Sequence, residues 1–488
     1  MSSLRLLMLL VMFVLILAGL PAPAQVATCT NPPRGMVAWW GGDNTTTDFF
    51  GISNGLTSSP VSFATGEVGS AFSFDGLQYT YLQVPDTAEL ESMTTAITVD
   101  AWVKAASSPG TFRYILAKGA SANAASYALY TGSGGGMAFY VSNGATFVVS
   151  PAAPPTLWDG NWHHVAGTFD GSTVHLIVDG SEIGSGSATP PNFSIAYNLP
   201  LTNDGFLGDF DPGQSGPFTF AGQVDELQVF SRVLSATEIQ AIYNAGTRGE
   251  CKDFQDLRVS TTANPAFSRA FEWSIQKSVD TTMIRKLFGT ATFNYTVKVL
   301  EAGYSDSAWS LTGNIMVTNP NPGVAITGVN ITDGVNNGGA CSVSGGTNIT
   351  LPAGGSITLS YNCKYGSAPA LYSGSHTATA SWDKMQNFTP NGLASGAANF
   401  GFGSGGAGNP TAFNQNITVT DTFTDLFGSK TTTLGTLTGS ASPQAGRTFN
   451  YSRSVLVPLL GCWSHLNTAS ITQTGQSSSQ TVTACGLF

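Results

Sequence analysis

Over short runs the chain alternates apolar and polar residues with a period of two, the pattern of strands that bury one face. Ala71-Phe72-Ser73-Phe74-Asp75-Gly76 ends in a turn signal, Tyr79 to Pro85 continues as a strand, and Ile97-Thr98-Val99-Asp100-Ala101-Trp102-Val103 alternates next. Val165 to Phe169, Asp170-Gly171, Val174 to Val178 and Asp179-Gly180 predict a meander, because Asp-Gly supplies the positive φ angles of tight hairpins. One helix stands out. Ser235-Ala236-Thr237-Glu238 is a capping box, Ile239, Ile242 and Tyr243 share a face, and Gly246 closes the element. Past Asp256 the text turns towards Thr, Ser, Asn and Gly, with strands expected at Phe293 to Leu300, Trp309 to Val317, Ser356 to Tyr361 and His376 to Trp382. Gly401 to Gly408 reads as a linker or long loop, and further strands follow at Asn416 to Thr420, Phe449 to Val457 and Ile471 to Thr483.

The first residues break this pattern. After Arg5 an unbroken apolar run from Leu6 to Leu20 leads into Pro21-Ala22-Pro23-Ala24, the form of a secretory signal peptide over residues 1–24, cleaved after Ala24. The run falls short of the roughly 20 apolar residues of a membrane span, so no span is expected in the mature chain. At roughly 150 residues per domain, 488 residues suggest about three domains. The expected division is 29–251, 256–395 and 396–488.

Cleavage removes Arg5, leaving 18 of the 19 basic residues against 29 acidic ones, so the formal charge moves from −10 to −11. That balance excludes nucleic acid and anionic membrane as natural partners. The six cysteines fall in three neighbouring pairs, Cys29 and Cys251, Cys341 and Cys363, Cys462 and Cys485. Sequence alone leaves the connectivity open, but nearest-neighbour pairing would place one bridge in each module, and none has the spacing of a zinc or redox site.

The first module carries a specific order of motifs: Val37-Ala38-Trp39-Trp40, Asp48 with Asn54-Gly55, and Gly69 to Gly76. These are followed by Thr98 to Lys104, Trp162-His163-His164-Val165-Ala166, Leu176 to Gly180, and Phe220 to Leu227 before the Leu234-Ser235 helix. In this order it resembles the laminin-G-like, concanavalin A-type lectin jelly roll of secreted proteins. The resemblance implies a two-sheet sandwich that binds glycans or protein surfaces, often with a structural calcium. Asp48, Asp225, Asp43 and Asn54 are then the candidate oxygen ligands, calcium needing six to eight oxygens. The alternative is that Asp48 starts a turn and Asp225 and Glu226 are edge-strand charges. Phe271 to Lys277, Asn294-Tyr295-Thr296-Val297 and Trp309 to Pro322, echoed by Val419-Thr420-Asp421 and Asn467-Thr468-Ala469-Ser470, resemble the immunoglobulin-like repeats of bacterial surface proteins, which implies a stalk or spacer. The expected fold class is therefore all-β: a concanavalin-like jelly-roll sandwich followed by two immunoglobulin-like β-sandwiches.

These features predict a secreted, non-catalytic binding or adhesion protein with a lectin-like head, recognising a glycan or an extracellular protein surface. Trp158 and Tyr130 lie beside loop signals as candidate sugar-stacking rings, yet either fits a core equally well. A glycoside hydrolase on the same fold would need two carboxylates about 5 to 9 Å apart flanking the bond. No Glu-x-Asp-x-Glu run supplies them, and Asp225-Glu226, adjacent on a strand, are expected to face apart. His163 and His164 are likewise expected on opposite faces. A purely structural surface component is the remaining alternative.

Overall fold

The computed structural model describes residues 29–57, 61–189, 191–211, 218–403, 408–440, 442 and 446–486. The signal peptide expected over 1–24 lies outside them. The fold is all-β. Two large sheets form the first module. One runs Ser181–Ser187, Thr173–Val178, His163–Phe169, Ile97–Lys104, Ala221–Phe230, Ser70–Asp75 and Ser62–Thr65, with Met36–Trp40 also paired to Ala221–Phe230. The facing sheet runs Phe147–Val149, Met137–Ser142, Tyr127–Thr131, Tyr114–Ala120, Thr202–Leu207, Leu82–Val84 and Leu56–Thr57.

The alternation read from the sequence decides which side chains meet between the sheets. Phe72, Val99, Val165, Leu176 and Val229 from the first sheet pack on Leu116, Leu129, Phe139 and Leu207 from the second. At Gly167 a Cβ would lie 2.0 Å from the Phe139 ring, so glycine is what lets that phenylalanine seat against the opposite sheet. The helix forms as Ala236–Ala245, with the Ser235 and Glu238 capping box intact and Gly246 at its end. Its Ile239 and Ile242 are buried against Trp39 and Phe230 on the outside of the first sheet.

The remainder folds as further sandwiches built around one long hairpin. Asn264–Val279 pairs antiparallel with the 29-residue strand Thr290–Thr318. The distal half of that strand pairs with Ser356–Lys364 and with Arg258–Thr261, while its proximal half pairs with Arg447–Leu456. A four-stranded sheet, Ile349–Leu351, Ile326–Val335, Ser373–Ser381 and Leu393–Gly401, contributes Val329, Ala378 and Ala380 to the core that also holds Leu311 and Ile315 of the distal half. A five-stranded sheet, Met283–Lys286, Ser477–Gly486, Cys462–Ile471, Asn416–Asp425 and Gly428–Thr438, faces the proximal half, where Val297 and Val299 meet Val419 and Ile471. The expected division at 395/396 therefore falls inside the strand Leu393–Gly401, and both sandwiches draw on the same hairpin. The expected linker is bounded by a bridge between Phe402 and Gly408.

Three disulfides join Cys29 to Cys251, Cys341 to Cys363 and Cys462 to Cys485, the nearest-neighbour pairing. The first clips the two ends of the jelly roll beside the parallel bridge of Thr30 and Glu250. The other two cross-link residues directly opposite in antiparallel pairs. The jelly roll abuts the next sandwich through Phe50 and Phe254, which flank Phe388, while Lys384 Nζ donates to the Phe50 carbonyl at 3.0 Å. No helix of the described residues is long and apolar enough to cross a membrane.

Candidate functional site

The four residues expected to hold calcium fall into two neighbouring groups. Asp48 is buried at the head of a turn: its Oδ1 accepts from the Trp39 amide at 2.8 Å, and its Oδ2 from Ile52 and Ser53 at 3.1 and 3.3 Å. Asn54 Oδ1 accepts from the Asp48 amide at 3.0 Å. Burial raises the Asp48 carboxyl from its ordinary value, and the amides that it caps oppose the shift. This is the turn-starting role.

Asp43 and Asp225 lie elsewhere, near the ammonium of Lys252, which no sequence motif marks. Lys252 Nζ donates to Asp43 Oδ2 at 2.8 Å and to Glu226 Oε1 at 2.6 Å, and sits 5.1 Å from the centre of the Trp39 ring. The same ring donates through Nε1 to Glu226 Oε2 at 2.6 Å. Asp225 is fully buried and accepts from Val68 N and Glu226 N, both at 2.9 Å. Burial and the neighbouring Glu226 push its carboxyl up to about 8. Burial also raises Glu226, against the pull of Lys252. The expectation that Asp225 and Glu226 face apart fails, because the ladder shifts register between Asp225 and Gln228 and Glu226 takes a positive φ of 48°. Such a bulge puts consecutive side chains on one face.

A divalent cation does not fit this set. The tethered ammonium already stands between Asp43 and Glu226; the other Glu226 oxygen accepts from the Trp39 indole, and the free oxygens of Asp43 and Asp225 accept from the backbone amides of Ser70, Val68 and Glu226. Among the described residues only Asp333, Cys363 and His376 gather in the manner of metal ligands, and Cys363 is held in a disulfide. The histidines behave as expected: His163 Nδ1 meets Asp179 at 2.8 Å, and His164 turns inward to buried Asp100 at 3.2 Å.

The outer face of the second sheet carries a different chemistry. Tyr114 pairs across to Tyr130, and Tyr130 to Ala138, so alternate residues of three strands form an apolar layer behind the main core. Tyr114 stacks on Tyr130 with ring centres 5.3 Å apart and meets Phe210 at 4.8 Å, with Phe218 against both Tyr114 and Phe210. Phe112 extends the row into solvent. It is 45% exposed, lies nearly parallel to Tyr130 at 6.4 Å, and adopts a φ of 56°. A positive φ costs a bulky aromatic residue backbone strain; here its amide is fixed to the Thr131 carbonyl at 2.9 Å.

Polar groups flank the row. Arg113 Nε is pinned to the Pro109 carbonyl at 3.2 Å. Asp209, 3% exposed, is pushed up to about 6 by burial, with Asp211 adding and Arg113 opposing. Of the two rings singled out from the sequence, Tyr130 lies in this layer. Trp158 instead packs on Phe220 in the main core and donates to the Gly135 carbonyl at 2.8 Å. Phe112 was missed because a backbone angle leaves no mark in the alternation of residue types.

Residues 75–240 match the model of the concanavalin A-like lectin/glucanases superfamily. The match covers the strands from Leu82–Val84 to Ala221–Phe230, including the aromatic layer and the Asp225-Glu226 bulge. Among solved structures the chain is similar to domain 4 of AbnA, a GH43 extracellular arabinanase from Geobacillus stearothermophilus, in complex with arabinotriose. That likeness has 19% identity and a TM-score of 0.34, over 44% of this chain and 99% of that one. It is also similar to the CBM40 of Ruminococcus gnavus IT-sialidase bound to α2,3-sialyllactose, at 18% identity and a TM-score of 0.29, over 43% of this chain and all of that one. A third is the binding domain of Paraclostridial Mosquitocidal Protein 1, at 10% identity and a TM-score of 0.35, over 58% of this chain and 77% of that one. A search of curated proteins finds no significant match.

Proposed function

We propose that the chain is an exported, non-catalytic binding protein whose jelly-roll module takes a saccharide at the aromatic edge around Phe112 and Tyr130, without calcium. The observation that carries this reading is Phe112, an exposed ring held by a strained backbone over a second ring and next in the chain to Arg113. Sugar rings stack their apolar faces on aromatics while a few fixed polar groups set orientation. Catalysis is disfavoured by the state of the paired acids. Asp225 and Glu226 share a face but are buried, and Lys252 neutralises Glu226.

A glycan array probed with the full chain tests the proposal. Binding should persist in chelator and fall at least tenfold in Phe112→Ala. No glycan bound under any condition would overturn it in favour of a protein ligand or a structural role, and release of reducing ends from a bound polysaccharide would restore the hydrolase.

A further inference from the structure

The long strand Thr290–Thr318 has two ends with different surroundings. Just past Thr318 the jelly roll meets the chain, where Asn31 Nδ2 donates to the Gly323 carbonyl at 3.0 Å and Arg34 Nη2 to the Ala325 carbonyl at 3.1 Å. Thr290 lies at the far end of the last sandwich, about 90 Å of extended chain away. Three turns gather there. Leu287-Phe288-Gly289 leads into Thr290, Leu426-Phe427-Gly428 opens the strand Gly428–Thr438, and Leu459-Leu460-Gly461 leads into Cys462–Ile471. The ladders bring them to one end: the Val457 amide donates to the Gly289 carbonyl and the Gly486 amide to the Gly461 carbonyl, both at 3.0 Å, and Lys286 stands beside Gly486. Thr424 stands opposite Leu466, which carries the turn beyond Asp425 towards the level of Cys462.

Each turn is the same device, two bulky apolar residues and then a glycine at positive φ, 98°, 128° and 81° in order. The six apolar side chains are between 60 and 85% exposed. A Cβ on any of the three glycines would meet nothing within 4 Å, so the turns stand clear of the body. At the other end of the same sheet the turn from Thr472 to Gln476 contains no apolar residue. Exposed apolar residues scattered singly are ordinary, whereas three pairs gathered at one end mark a contact surface.

The chemistry of the turns selects the occupant. Their side chains offer neither donor nor acceptor and stand on separate tips instead of one continuous face. A protein partner is held by hydrogen bonds and close shape complementarity; separate aliphatic and aromatic tips suit a fluid apolar medium. The local charge agrees. Arg285 and Lys286 directly precede one pair and Lys430 follows another, all three exposed, in a chain whose formal charge is −10. Asp425 is the acid in these turns and their flanks, and its Oδ1 is taken up by the Phe427 amide at 2.8 Å.

We propose that this end of the protein docks on a phospholipid bilayer, the three apolar pairs entering the acyl boundary while Arg285, Lys286 and Lys430 reach the phosphate oxygens of the headgroups. Peptide groups at a turn need water as a partner, so the backbone stays at headgroup level and only side chains enter, to a depth of about 5 to 10 Å. Long basic side chains lie along such a boundary with their stems in the apolar layer and their charges in water. The acidity of the chain as a whole opposes anionic lipid, so the surface is zwitterionic. The jelly roll would then be held off the membrane at the opposite pole.

Flotation of the full folded chain with phosphatidylcholine vesicles tests this. Wild type should rise with the vesicles at physiological ionic strength and equally in high salt. Phe288→Ser combined with Phe427→Ser should cut the bound fraction at least about tenfold, since each ring buried is worth more than that factor. Leucine at the same two positions should retain binding. Both rings are exposed, so the melting temperature of the serine variant should match that of wild type and show that the sandwich still folds. A wild-type chain left in the aqueous fraction would overturn the proposal. So would binding that requires phosphatidylglycerol and vanishes in high salt, which is charge attraction without insertion. A chain that ignores vesicles but dimerises in lipid-free solution, with the dimer lost in the serine variant, would assign these turns to a second copy instead.

Discussion

Replacing Lys252 by methionine asks whether the jelly roll depends on its own built-in cation. The substitution keeps the apolar stem over Trp39 and deletes the charge that meets Asp43 at 2.8 Å and Glu226 at 2.6 Å. Removing one partner of a buried pair costs about 3 to 5 kcal/mol, because the other charge is stranded. The Lys252 side chain is 27% exposed and that of Glu226 4%, so the lower end, about 3 kcal/mol, is expected. For a module of this size that is a fall of about 6 to 12 °C in the jelly-roll transition, read by calorimetry at neutral pH. The stranded Glu226 has its folded pKa raised by burial, and further without the lysine. The deficit should therefore be full above that pKa and shrink as the pH falls and the carboxyl is protonated. Adding Glu226→Gln should recover more than half of the loss, since glutamine can still accept from Trp39 Nε1. A cost below about 1 kcal/mol, or a double variant no better than the single, would refute the reasoning. So would a rise in the wild-type melting temperature on adding calcium.

Two further outcomes concern stability. Asp225, pushed up to about 8 from an ordinary 3.8, contributes stability that is full below about 4 and lost as the pH rises through 8; the jelly-roll melting temperature should fall across that window. Asp225→Asn should flatten the fall by up to about 1.4 kcal/mol per pH unit, and an unchanged slope would exclude this group as its source. The Cys29–Cys251 bridge spans 222 residues and Cys341–Cys363 only 22, so loop entropy assigns them about 5 and about 3 kcal/mol. Thermal unfolding of the two double-alanine variants should follow that order, and the reverse order would reject the chain-entropy account.

Much of the jelly roll was legible because its strands alternate cleanly and its helix carries a complete cap at Ser235. Two of the cysteine pairs were legible because neighbours in sequence are neighbours across a ladder, and the third because its cysteines bracket the jelly roll. The shared hairpin was not. Between Glu301 and Ala308 the strand Thr290–Thr318 is largely exposed and carries no apolar alternation, so the pattern stops and resumes as two strands where there is one. Gly303 and the nearby register shift opposite Glu272 and Trp273 add to the break. At the candidate sites the residue types were visible but the geometry was not. Lys252 lies just beyond Cys251, outside every motif, and meets Glu226 because the Cys29–Cys251 bridge and the pairing of Thr30 with Glu250 return the chain to that corner. The Asp225 bulge reverses the rule of alternating faces, which no residue type announces.

The long hairpin also bears on how such a protein can change over generations. Repeat proteins commonly lengthen or shorten by gaining or losing whole units, which requires each unit to be a continuous stretch of chain. Here residues 290–299 pair with Arg447–Leu456 and residues 310–318 with Ser356–Lys364, so neither sandwich can be excised or duplicated as one segment without cutting a strand of the other. The pair is inherited as a unit, and the distance it sets between the jelly roll and whatever lies at its far end is a fixed quantity that recombination cannot easily adjust.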